Sequence, residues 1–86
     1  MYLNNQIKEA FFKLGKHITK LREYRNMTIK EVSIKTGIRK EYLHKIELGT
    51  AYGVLLEKHL LKIAKALKIK ISTLFDFEKI VDLSSK

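Results

Sequence analysis

Residues 28–47 commit the chain to two short helices joined by a sharp turn, a constraint that few folds satisfy. Thr28-Ile29-Lys30-Glu31 is a capping box: the Thr28 hydroxyl can accept from the Glu31 amide while the Glu31 carboxylate reaches back to the amide of Thr28. A helix therefore starts there, with Ile29, Val32, Ser33 and Thr36 on its inward side. Gly37 stands where the chain must turn with φ positive, which limits this helix to about two turns. Ile38 opens the next segment, and Tyr42, Leu43 and Ile46 mark the buried side of a third helix that ends near Gly49. Where two such helices cross steeply, a small residue at Ser33 allows their approach, and Leu43 with Ile46 pin the underside of the third helix to the first.

The flanking segments supply the surfaces that this pair needs. Ile7, Phe11, Leu14, Ile18 and Leu21 recur at steps of four and three, predicting a first helix over about residues 7–24. Asn26 follows it at a position suited to positive φ. After a loop over residues 50–54, Leu56, Leu60, Ile63, Ala64 and Leu67 form one helical stripe, and a last short helix holds Ile71, Leu74 and Phe75. The chain contains no Pro and only four Gly, which favours uninterrupted helices. The expected architecture is all-α, a compact five-helix domain. With 86 residues there is room for one domain that buries about 60–65% of its unfolded surface. Its organisation is expected as an extension of helix 1 over residues 1–13, a core over residues 14–75, and a C-terminal tail over residues 76–86.

Cysteine is absent, so disulfides, a thiolate nucleophile and Cys-based zinc sites are excluded. No stretch approaches the ~20 apolar residues of a membrane span, and the N-terminus shows no apolar signal core. A soluble protein of the cytoplasm, bacterial or phage-encoded, is expected. His17, His44 and His59 fall on separate helices, no acidic cluster has metal-ligand spacing, and no Gly-rich loop could cradle a phosphate. The Ser and Thr hydroxyls fit caps and turns. These features predict no enzyme, no metal and no cofactor.

Charge points to a partner class. Lys and Arg number 18 against 9 acids. The excess lies in residues 1–75, with sixteen bases against six acids, whereas residues 76–86 hold two against three. Such a surface attracts polyanions through steering and counterion release. The exposed side of helix 3 reads Arg39, Lys40, Glu41, His44, Lys45. An α-helix fits the DNA major groove, where Lys can donate to guanine O6 and N7 and Glu can accept from cytosine N4.

The stretches LGKHITKLREYRNMT, EVSIKTGIRKEYLHKIELG and LLKIAKALKIKISTLF resemble the lambda-repressor and Cro type of helix-turn-helix domain, the XRE-like family. The resemblance covers residues 14–75, and Ile46-Glu47 before Gly49 and the Ile63-Ala64-Lys65-Ala66-Leu67 run are as characteristic as the turn itself. It implies a transcriptional regulator of double-stranded DNA. Lys40, Glu41 and Lys45, with His44 beside them, match positions that touch base edges. Arg39, Tyr42 and the start of helix 2 at Thr28 match positions that meet phosphates, and Thr50 and Tyr52 are candidates in the loop that follows. Arg22 and Glu47 correspond to a partly buried pair tying helix 1 to the end of helix 3. Ile29 stands where the family often has Gln, the residue 49–57 stretch is about two residues longer than usual and lacks its Pro, and Lys68 replaces the Gly that usually ends helix 4.

Phe11, Phe12, Phe77, Ile80 and Val81 exceed what so small a core can hide, which predicts a homodimer, since readers of this type match palindromic half-sites. The rival from another class is a protein-interaction module, for instance an antitoxin whose main role is to hold a protein partner. Such a module has little reason to keep Arg39, Lys40 and Lys45 against the single acid Glu41 on one face. A membrane-surface helix is disfavoured because the apolar faces are needed for the core. Single-stranded RNA binding lacks an exposed aromatic platform.

Overall fold

The computed structural model describes residues 5–52 and 56–76. They form α1 (Asn5–Tyr24), α2 (Ile29–Thr36), α3 (Lys40–Leu48), α4 (Leu56–Ala66) and α5 (Ile71–Leu74), with no strand among the described residues. The all-α expectation holds element by element. Val54, the side chain of Leu56 and the tail residues Phe77, Ile80, Val81 and Leu83 lie outside the described residues.

Local chemistry sets the boundaries. The Thr28 hydroxyl accepts from the Glu31 amide at 3.0 Å and the Glu31 carboxylate accepts from the Thr28 amide at 2.7 Å, the reciprocal cap expected from the sequence. Gly37 ends α2 at φ 77° and Gly49 ends α3 at φ 80°. Asn26 at φ 57° and Lys68 at φ 59° take the same left-handed conformation after α1 and α4.

One core unites the helices: Leu14, Ile18 and Leu21 from α1, Val32 from α2, Leu43 and Ile46 from α3, Leu60, Ile63 and Ala64 from α4, then Leu67 and Leu74. α1 packs on α3 and α5, α2 on α3 and α4, and α4 on α5. α5 has four residues, too few to be stable alone. Leu74, with no exposed surface, anchors it through burial worth about 1.5–3 kcal/mol. His17 on α1, itself buried, adds a hydrogen bond from Nε2 to the Thr73 carbonyl at 2.6 Å.

The apolar stripe extends further than its burial. Ile7, Ile71 and Phe75 carry the expected periodicity yet remain 39%, 37% and 51% exposed. Periodicity places a residue on the correct side of a helix; only a neighbouring element can cover it, and the described elements do not reach these positions.

Candidate nucleic-acid interface

The candidate face is built on α3, held from below at several points. Leu43 and Ile46 are buried while Arg39, Lys40, Glu41, His44 and Lys45 are exposed, as expected from a helix with one docked side. Ser33 Oγ donates to the Ile38 carbonyl at 2.5 Å, so the small residue of α2 also stitches the turn closed. Thr36 Oγ1 accepts from the Ile38 amide at 3.1 Å. Both bonds fix the angle at which α3 leaves α2.

The other end of α3 is clamped to α1. Arg22 donates through Nε to Glu47 Oε2 at 2.7 Å and through Nη2 to Glu47 Oε1 at 3.1 Å, a two-pronged pair with side chains 14% and 9% exposed. The third prong, Nη1, donates to the Met27 carbonyl at 2.8 Å, tying in the residue before the α2 cap. Thr19 Oγ1 donates to Glu47 Oε1 at 2.8 Å. Hydrogen bonding to Glu47 raises the Arg22 guanidinium above its ordinary value, against the opposing effect of partial burial. One carboxylate thus gathers α1, the entry to α2 and the end of α3.

Gly15 and Thr19 complete this junction without having been picked out from the sequence. A Cβ at Gly15 would lie 2.3 Å from the Glu47 carbonyl oxygen and 2.6 Å from that of Ile46, so the α1 and α3 backbones meet there. The available signal was a glycine inside a helical stripe, where it costs about 1 kcal/mol relative to Ala and needs a packing reason.

Lys40, Glu41, His44 and Lys45 share the outer face of α3, with Arg39 beside them at its N-cap. None of the three bases in this group is ion-paired among the described residues, where the salt bridges are Lys13–Glu9 and Arg22–Glu47. Thr28 heads α2, and because its hydroxyl accepts from Glu31 its own proton stays available to donate. The cap leaves the amides of Ile29 and Lys30 without an acceptor among the described residues. Thr50 caps the end of α3, its amide donating to the Lys45 carbonyl at 2.9 Å. Tyr42 is half-buried, its ring 4.9 Å from that of His59 on α4. Tyr52 is exposed and meets Phe11 of α1 edge to face at 4.9 Å. The three histidines lie on α1, α3 and α4. No group of residues able to hold a metal ion occurs among the described residues, nor is any described helix long and apolar enough to cross a membrane.

A family model described as a helix-turn-helix domain matches residues 15–79. The crystal structure of the restriction-modification controller protein C.AhdI from Aeromonas hydrophila superposes with a TM-score of 0.71 at 25% sequence identity, covering 78% of this chain and 98% of that one. No curated protein sequence matches.

Proposed function

The chain belongs to the helix-turn-helix domain family, and from that premise we propose that it is a sequence-specific regulator of transcription that binds duplex DNA as a homodimer. The observation that carries this reading is the outer face of α3, where Arg39, Lys40 and Lys45 stand exposed and unpaired on a helix whose other side is fixed to α1 and α2. A rigid, basic helix of this kind suits the major groove. Lys40 and Lys45 donate to guanine edges, Glu41 accepts from cytosine, and His44 contacts a neighbouring base. Arg39, the Thr28 hydroxyl with the free amides of α2, Thr50, Tyr42 and Tyr52 meet phosphates, which set register and affinity rather than sequence.

The basic surface first captures duplex DNA non-specifically, and α3 then selects a site. Two protomers read an inverted repeat with centres about 34 Å apart, one helical turn of DNA. The protein acts in the cytoplasm without a cofactor and without catalysis, and represses where its site overlaps a promoter. The similarity to a restriction-modification controller protein supports a regulatory role of this type.

Selection of bound duplexes from a random library at about 150 mM salt, where non-specific binding is weak, tests the reading. An enriched inverted repeat is expected. Binding that shows no enrichment and vanishes as salt rises rejects it. Lys40→Ala and Lys45→Ala are each expected to lose about 1–3 kcal/mol on the selected site and relax preference at particular bases. Equal losses on selected and random DNA would remove these residues from the reading face.

A further inference from the structure

The first turns of α1 end in an open apolar groove beside the end of α5. Ala10, Phe11 and Leu14 line one side and Phe75 the other, around a volume of about 320 Å³. Phe75 is 51% exposed, a large aromatic ring left in water where residues 77–86 follow. Ala10, Phe11 and Leu14 all precede the family match, which begins at residue 15. The groove is therefore made by a part of this chain that the family pattern does not supply.

We propose that residues 77–83 of the same chain pack into this groove as an amphipathic helical segment. Its place is right, because it begins two residues after the Phe75 wall. Its pattern is right as well: Phe77, Ile80 and Val81 recur at i, i+3 and i+4, with Glu78, Lys79 and Asp82 off that stripe. As a helix, ten residues span about 15 Å, so residues 77–86 match residues 5–14 of α1 in length. The charges complement each other: residues 76–83 hold three acids and one Lys, residues 5–16 three Lys and one Glu. A tethered segment acts at an effective concentration of roughly millimolar or more, so the chain's own tail outcompetes a second copy unless its path is blocked. This inference rests on the fold and is independent of the DNA-binding reading.

The chain has no cysteine, so introduced pairs report contact without background. Ala10→Cys is combined in turn with Phe77→Cys, Ile80→Cys and Val81→Cys in the full chain, and each variant is oxidised at micromolar concentration. A covalent, faster-migrating monomer is expected for at least one pair. Covalent dimers alone, or no cross-link in any pair, would overturn the proposal. Deletion of residues 77–86 is expected to lower the melting temperature by about 5 °C or more while the state of association stays unchanged. An unaltered melting temperature, or loss of a dimer on deletion, overturns it independently of the cross-links.

Discussion

Gly15 and Glu47 meet at the closest approach in the molecule, and each is replaceable only at a cost that geometry sets. A methyl group at Gly15 would fall 2.3 Å from the Glu47 carbonyl oxygen, a backbone atom that cannot rotate aside. Gly15→Ala is therefore expected to destabilise by about 3 kcal/mol, the upper end for overpacking, read from urea midpoints. Arg22→Ala removes the charge partner of a carboxylate only 9% exposed and leaves its burial uncompensated; a loss of about 3 kcal/mol is expected. Arg22→Lys should recover little of it, because an ammonium cannot serve Glu47 bidentately and Met27 at once. Full recovery by Lys would show that charge alone matters at this junction.

Among the helices, two glycine caps of the same backbone conformation are expected to differ sharply. Gly37 at φ 77° has open space where a Cβ would go, whereas at Gly49, φ 80°, a Cβ would lie 2.7 Å from the Phe12 Cα. Gly37→Ala carries only the left-handed penalty, about 1 kcal/mol. Gly49→Ala adds a backbone clash and should cost about twice that or more. Thermal melts of the two variants compare them directly, and equal costs would refute the argument from space. After α4, Lys68 holds φ 59° where Gly is the easier residue, so Lys68→Gly is expected to be neutral or stabilising by up to about 1 kcal/mol.

For the whole molecule the decisive quantity is charge. The chain carries a formal net charge of +9, and the proposed interface meets phosphates from α2, α3 and the segment after it. If about six phosphates are neutralised, affinity for the selected site should fall roughly 10³-fold between 50 and 200 mM salt. Arg39→Ala should flatten that slope by about one unit on every sequence, unlike Lys45→Ala, whose effect is concentrated on the selected site. Filter or fluorescence titrations across salt separate the two, and a slope insensitive to Arg39 removes it from the phosphate set.

The sequence by itself determined the elements: capping box, positive-φ residues and apolar periodicity are local, and a local preference needs only near neighbours to be expressed. Thr28, Glu31, Asn26, Gly37 and Gly49 were legible for that reason, and the Arg22–Glu47 pair through resemblance to a family. Tertiary structure alone decided what depends on residues distant in sequence. Ile7, Ile71 and Phe75 share the periodicity of buried residues, yet no described helix covers them. Gly15 and Thr19 matter because α3 crosses α1 at that point, and Tyr42 turns partly inward because His59 of α4 stands beside it. Burial and close approach belong to pairs of elements, and one element's pattern fixes only the side it offers.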